Sequence, residues 1–149
     1  MMRHNASVRA FTLLEILLSI TLIVVLFGIS LPPYYKFFVK NNLDVAKNQI
    51  IQCLRRASFL SAASVEDDTW GVYIQRSSVV IFRGSDYSSR EEEYDETYII
   101  PSEITPSGLN EIVFEKMTGL PQESGEIIIS SGNDSKTIII NDKGAISVY

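Results

Sequence analysis

The sequence contains very few of the residues from which metal sites and many catalytic sites are built. Cys53 is the only cysteine and His4 the only histidine among 149 residues. One cysteine cannot form an intramolecular disulfide, and one cysteine with one histidine cannot supply the ligands of a common zinc site. No histidine follows residue 10, which excludes a serine–histidine triad there, and no segment resembles a phosphate-binding loop. We therefore expect no enzymatic activity, metal or cofactor, and we expect Cys53 to be a small packing residue on a helix.

Basic residues are scarce in the C-terminal part of the chain. Residues 64–149 contain 16 acidic and six basic side chains, and this balance disfavours binding to nucleic acid through phosphate contacts. A local pair of Lys136 and Lys143 across the last hairpin keeps DNA binding open as an alternative. Arg55 and Arg56 lie on a predicted helix, where we expect neighbouring subunits to cover them. The acidic run at residues 91–96 is predicted to be a solvated loop, because it lacks the glycine-shaped turn and alternating ligands of a calcium loop.

A long apolar run dominates the N-terminal part of the chain. Residues 11–31 are interrupted by few polar residues, and as a helix they would extend about 32 Å, which suffices for a hydrocarbon core of about 30 Å. We expect residues 11–33 to form a transmembrane helix. Pro32 and Pro33 cannot donate backbone hydrogen bonds, and an interior proline costs a helix roughly 3 kcal/mol. With Gly28, which also weakens a helix, they predict a kink.

The next segment, residues 34–63, is amphipathic. Its apolar residues recur at spacings of three and four, which is the pattern of one helical face, and no glycine or proline interrupts the segment after Pro33. The predicted buried face consists of Val39, Leu43, Ala46, Ile50, Cys53, Ala57 and Leu60. We expect this helix to continue the membrane helix and to support the remainder of the chain.

From residue 64 to residue 149 the apolar pattern has a period of two, which indicates β-strands. The predicted strands are residues 70–74, 79–82, 98–100, 111–114, 126–130, 137–141 and 145–148. Turn residues separate them, including a two-residue connection at Arg76 and Ser77 and glycine-containing turns near Gly132 and Gly144. The predicted fold is α+β: a long N-terminal helix whose second half packs on an antiparallel β-sheet head.

The ten residues before the apolar run do not resemble an ordinary secretory signal, in which a small-residue cleavage site follows the apolar stretch. Here the small residue Ala10 precedes it. The junction reads Arg9-Ala10-Phe11-Thr12-Leu13-Leu14-Glu15. This segment resembles the processing signal of type IV pilins and type II secretion pseudopilins. The resemblance implies a leader of residues 1–10, a cut between Ala10 and Phe11 by a prepilin peptidase, and methylation of the new amine on Phe11.

Two further positions agree with that family. Glu15 would be the fifth residue of the mature chain, and Pro32 falls at the family's usual proline position; Ala10 departs from the usual glycine. A carboxylate in an apolar span costs on the order of 2.5–3.5 kcal/mol at the helix centre and less near its end. It therefore needs a counter-charge, and a neighbouring subunit's N-terminal amine is the one we expect in subunit assembly. A glutamate that reaches interfacial water is the alternative.

The C-terminal part is similar to the GspH/FimT group of minor pilins and pseudopilins. The residues that carry this likeness are Trp70-Gly71-Val72, Thr118-Gly119-Leu120-Pro121 and Gly144. The resemblance implies a non-enzymatic filament subunit in the cytoplasmic membrane, with its N-terminus inside and its head outside. Its partners would be the prepilin peptidase and methyltransferase, other pilin or pseudopilin subunits, the inner-membrane assembly platform and lipid. The alternatives are a DNA-binding minor pilin of an uptake pilus and a membrane-anchored enzyme or sensor that does not polymerise.

Overall fold

The structure, a computed structural model, describes residues 11–149, with side chains described for residues 11–28 and 38–149. One long helix is followed by eight strands in two four-stranded antiparallel sheets. The chain divides into two compact units, with the boundary between Phe37 and Phe38. The elements are α1 (Leu13–Ala62), β1 (Trp70–Gln75), β2 (Ser78–Arg83), β3 (Glu96–Ile99), β4 (Thr105–Gly108), β5 (Glu111–Phe114), β6 (Gly125–Ser131), β7 (Asp134–Ile140) and β8 (Ile146–Val148). Short 3₁₀ turns lie at Val65–Asp67 and Glu92–Tyr94.

The second half of α1 forms one side of the core of the Phe38–Tyr149 unit. All seven residues of the predicted buried face are buried, and each is less than 9% exposed. Leu54 is also fully buried, so the buried face is wider than the three-and-four spacing indicates. Cys53 lies inside this core, where burial raises the pKa of its thiol to about 11. The expectation that Cys53 packs rather than reacts agrees with this position.

The first sheet has the strand order β3-β2-β1-β5. The predicted hairpin is confirmed: β1 and β2 pair antiparallel, and Arg76 and Ser77 form the connection. Val72 is paired with Ile81 on one side and with Ile112 on the other, and all three side chains belong to the core. Their alternation with outward-facing neighbours is the period-two pattern of the sequence.

The opposite face of the first sheet is covered by the segment that connects β2 and β3. Tyr87 of this segment stacks on Tyr73 with ring centroids 3.9 Å apart and meets Phe82 edge to face. The N–H of Tyr87 donates to the Glu111 carboxylate over 2.8 Å. Gly71 makes room for this arrangement, because a Cβ there would lie 2.3 Å from the Phe82 ring. The connection is thus a packed cover, so Phe82 is fully buried although it faces away from α1.

The second sheet has the strand order β4-β6-β7-β8 and brings Ile127, Ile129, Ile138 and Ile140 into the same core as α1 and the first sheet. The sequence predicted β6, β7 and β8 but not β4, and it did not separate two sheets. Strand β4 contains Pro106, a residue that breaks a strand pattern because it has no N–H to donate. The strand is tolerated because it lies at the sheet edge and pairs with β6 alone.

Hydrogen bonds of Ser61 fix the C-terminal end of α1 to both neighbouring loops. The Ser61 hydroxyl accepts from the N–H of Trp70 over 2.8 Å, and the Ser61 carbonyl accepts from the N–H of Met117 over 2.9 Å. Gly119 has φ +66°, and a Cβ there would lie 2.6 Å from the Ser58 carbonyl oxygen. The loop before β6 can therefore approach the helix end closely only with glycine at this position.

Candidate functional site

The first part of α1 exposes a continuous apolar surface. Every large apolar side chain in residues 11–27 is between 51% and 81% exposed. These side chains are Phe11, Leu13, Leu14, Ile16, Leu17, Leu18, Ile20, Leu22, Ile23, Val24, Val25, Leu26 and Phe27. Contiguous apolar surface of this extent marks a protein or membrane interaction site.

Two hydroxyl residues within this surface satisfy their own hydrogen-bonding groups. Ser19 donates to the carbonyl of Glu15 over 2.8 Å, and Thr21 donates to the carbonyl of Leu17 over 2.7 Å. Bonds to the carbonyl four residues earlier remove the cost of placing a hydroxyl in an apolar environment. Among the side chains described in residues 11–28, Glu15 is thus the one that carries a charge into this surface.

Glu15 lies in the first turn of α1, and Thr12 fixes where that turn begins. The Thr12 hydroxyl accepts from the N–H of Glu15 over 3.3 Å, and the Thr12 carbonyl accepts from the N–H groups of Glu15 and Ile16 over 3.1 and 3.3 Å. The spacing Thr-x-x-Glu at a helix start is that of a capping box. A carboxylate in the first turn is also stabilised by the helix dipole. Glu15 therefore contributes to this helix start twice, through the charge of its side chain and through its backbone N–H, which belongs to the helix cap.

No ion pair involves Glu15 among the described residues. Its side chain is exposed, as is the side chain of Phe11, which is 75% exposed. The described side chains therefore supply no counter-charge for Glu15, and its carboxylate is open to water or to another molecule. Ala10, the other half of the predicted cleavage site, lies outside the described residues, and the predicted cut stays a prediction.

The three residues of the predicted kink all fall within the bounds of α1. No atom lies within 4 Å of the position that a Cβ would occupy on Gly28. Among the described residues, therefore, no neighbouring atom requires position 28 to lack a side chain. Pro32 and Pro33 lie in the part of α1 whose side chains are outside the description, and the kink stays a prediction. No helix in the described part of the chain is both long and apolar enough to cross a membrane.

The basic residues of the β-strand region are largely engaged by carboxylates. Four of the six form ion pairs within the chain: Arg83 with Asp68 and Glu91, Arg90 with Asp95 and Glu92, Lys116 with Asp67, and Lys136 with Asp44. Within residues 38–149, Arg76 and Lys143 make no such pair. The proposed DNA-contacting pair of Lys136 and Lys143 is thereby weakened, because Lys136 is directed to the helix.

The acidic run at residues 91–96 is not simply a solvated loop. Asp95 accepts from Arg90 over 2.8 Å, and Arg90 also lies over the Tyr87 ring at 3.9 Å. Glu96 accepts two hydrogen bonds of 2.6 Å from Arg56 on α1, and this contact lowers the pKa of the Glu96 carboxyl. Sequence reasoning missed both pairs. Arg90 and Asp95 are local neighbours, whereas Arg56 and Glu96 lie 40 residues apart and meet only through folding. Arg56 thus has an ion-pair partner within the chain, while 49% of its side chain remains exposed, and the expectation that other subunits cover it stays a prediction.

No family model matches this sequence, and no curated protein matches it. The fold is similar to a solved structure, that of the minor pseudopilin EpsH from the type 2 secretion system of Vibrio cholerae. The two chains superpose with a TM-score of 0.55 at 9% sequence identity, and the match covers 72% of this chain and 96% of the other. This chain therefore has a pseudopilin-like fold.

Proposed function

We propose that the chain is a structural minor subunit of the pilin and pseudopilin kind, which assembles through its N-terminal helix into a type II secretion pseudopilus or a type IV pilus. The observation that carries this proposal is the apolar surface of residues 11–27 with Glu15 in its first turn. Lipid covers that surface before assembly, and the corresponding helices of other subunits cover it afterwards. The similarity to a minor pseudopilin supports the same role.

The proposal includes processing and location. A prepilin peptidase cuts between Ala10 and Phe11, and the new amine is methylated. The chain is held in the cytoplasmic membrane by residues 11–33 with its head outside, and an inner-membrane platform takes it into the filament. The protein has no enzymatic role of its own. A separate ATPase supplies the energy for filament assembly.

Processing is tested by the intact mass of the protein extracted from membranes of a cell with a prepilin peptidase. The expected product lacks residues 1–10 and carries one additional methyl group. Replacement of Ala10 by Gly, the residue that is usual in the family, leaves the cut intact. Uncut protein in assembled filaments would contradict the proposed processing.

Assembly is tested by Glu15→Val. This variant removes the charge from the apolar surface, so membrane insertion is retained or improved, but incorporation into filaments falls because the counter-charge for a neighbouring amine is lost. Incorporation is measured by crosslinking to other subunits. Thr21→Val is the matched control, since it removes a polar group that is already bonded to Leu17. Normal incorporation of Glu15→Val would refute the charge-pairing mechanism.

A DNA-binding subunit is the second candidate, and the ion pairs disfavour it. DNA attracts proteins through Lys and Arg side chains that are free to reach phosphates. In the described part of the head, four of the six cations are held by carboxylates. A mobility-shift titration of residues 38–149 with duplex DNA is expected to show no salt-sensitive binding at physiological ionic strength.

A further inference from the structure

The two sheets end in four edge strands, and the outward backbone groups of one of them, β4, are blocked. An open edge is a template for another strand, because its N–H and C=O groups point outward without partners. The N–H of Leu109 donates to the carbonyl of Glu126 over 2.8 Å, which fixes the phase of the β4–β6 ladder. Pro106 and Gly108 are therefore the residues that face outward. Pro106 has no N–H to offer, and Gly108 has φ +83°.

The edges formed by β5 and β3 are protected in two other ways. The segment after β5 closes that edge: Gln122 donates to the carbonyl of Val113 over 2.9 Å. Phe114 pairs with Pro121 in the same segment. Strand β3 begins at Glu96 directly after an acidic run, so a second strand of the same kind would bring like charges together.

The edge formed by β8 has none of these protections. Residues 145–149 contain no charge and no proline. Tyr149 exchanges two backbone hydrogen bonds with Thr137 of β7, over 3.0 and 2.9 Å, which fixes the phase of this ladder. Ile146 and Val148 therefore direct their N–H and C=O groups away from β7. Neither has a hydrogen-bond partner on that side in the part of the chain that the structure describes.

These outward-facing groups are complementary to those of an identical strand. When two copies of β8 lie antiparallel with Ser147 opposite Ser147, Ile146 of each copy is paired with Val148 of the other. Each such pair exchanges both N–H···O bonds, so every outward N–H and carbonyl of the two copies is used. A register shifted by two residues pairs one of these residues with its own equivalent and uses fewer of the groups. The hydrogen-bonding groups of β8 thus fit a second copy in one register, related by a two-fold axis.

We propose that β8 pairs antiparallel with β8 of a second copy of this chain and joins the second sheets of both copies into one. Backbone hydrogen bonds hold the pair, and the side chains beside them are uncharged: Val148 is 40% exposed and Tyr149 is 79% exposed. Like charges therefore do not oppose the pairing within residues 145–149. Pairing through β8 is independent of the proposed assembly through residues 11–27, since every contact it uses lies in the second compact unit.

The experiment uses the full-length chain in membranes of a bacterium that has no filament system, with Ser147→Cys and disulfide crosslinking. Opposite residues at such a non-hydrogen-bonded position have Cα atoms about 4.5 Å apart, a separation that a disulfide accepts. Cys53 does not compete, since it is buried. Ser107→Cys is the matched control, because Ser107 is exposed on β4 at the other edge of the same sheet. Efficient crosslinking is expected for Ser147→Cys and only background crosslinking for the control.

Val148→Pro, added to Ser147→Cys, tests whether backbone hydrogen bonds hold the pair. The N–H of Val148 makes no bond to β7, so proline leaves the ladder of the sheet intact, as Pro106 does in β4. The substitution removes one donor from each copy, and crosslinking is expected to fall at least about fivefold. Thr97→Pro is the control, since the N–H of Thr97 faces outward from β3, and it is expected to leave crosslinking unchanged.

The register is measured without any change to the backbone. A copy with Ala145→Cys is expected to crosslink to a differently tagged copy with Tyr149→Cys, because these positions lie opposite each other when Ser147 faces Ser147. Two copies that both carry Ala145→Cys are expected not to crosslink. Equal crosslinking of these two combinations would overturn the proposal, as would Ser147→Cys that crosslinks no better than Ser107→Cys. Full crosslinking in the presence of Val148→Pro would overturn it as well.

Discussion

The two parts of α1 share one secondary structure but differ in what their side chains contact. In residues 13–28 the large apolar side chains are exposed all round the helix, whereas in residues 38–62 most are buried and only Phe38, Val45 and Phe59 are exposed among the large apolar side chains described there. A helix that is apolar all round is covered by a membrane or by other helices, and an amphipathic helix packs on its own domain. The difference is that the chain itself leaves the apolar side chains of the first part exposed, whereas the sheets cover the buried face of the second part.

The strongest test of this comparison is truncation. A fragment of residues 38–149 retains the buried face and is expected to be soluble and to unfold cooperatively. A fragment of residues 64–149 lacks Leu43, Ile50 and Leu54, which are all at most 1% exposed. Because loss of one such side chain costs about 2–5 kcal/mol, losing the whole face exceeds the stability of a typical domain.

Urea unfolding followed by tryptophan fluorescence distinguishes the two fragments, since Trp70 is buried against the end of α1. A cooperative transition in both fragments would mean that the helix contributes little to the fold of the head. An aggregated product from residues 38–149 would place the boundary between the two parts of α1 elsewhere.

Two substitutions in the second half of α1 compare a buried side chain with an exposed one. Ile50→Ala removes a fully buried side chain and is expected to lower the free energy of unfolding by about 2–5 kcal/mol. Val45→Ala removes a side chain that is 47% exposed and is expected to change it by about 0.5 kcal/mol or less. Equal effects in denaturant titrations of residues 38–149 would contradict the assignment of Ile50 to the buried face and of Val45 to the exposed side of the helix.

The smallest expected effect is on the pH dependence of stability, and it concerns the ion pairs of Asp44 on α1. Lys136 and Lys47, which donate hydrogen bonds to Asp44, lower the pKa of its carboxyl from 3.8 to about 2. A lowered folded-state pKa stabilises the fold above pH 3.8, and this stabilisation is lost as the pH falls toward 2. Asp44→Asn is therefore expected to flatten the loss of stability between about pH 4 and pH 2.

The measurement is the urea midpoint of residues 38–149 at several pH values. Glu103→Gln is the control, since it removes an exposed carboxylate that forms no ion pair among the described residues. A pH profile of Asp44→Asn that is parallel to the profile of this control would contradict the assigned contacts of Asp44.

The spacing of apolar residues was sufficient to predict structure where the burial of a side chain depends only on its position in its own helix or strand. The buried face of α1 and the β1–β2 hairpin were predicted because spacings of three to four and of two report which side of a helix or strand is covered. Strand β5 was predicted with its bounds for the same reason. Strand β4 was missed because Pro106 weakens the strand pattern, and only the position at the edge of a sheet makes proline acceptable there.

The sequence by itself determined the apolar N-terminal surface, the position of Glu15 and the amphipathic second half of α1, because these depend on spacing along one helix. The tertiary structure alone decided that the strands form two sheets and that Arg56 binds Glu96, a residue 40 positions away. It also decided that Lys136 binds Asp44 across 92 positions. Ion pairs between distant residues leave no periodic signal, since a charged side chain has the same local pattern whether it meets water or a partner.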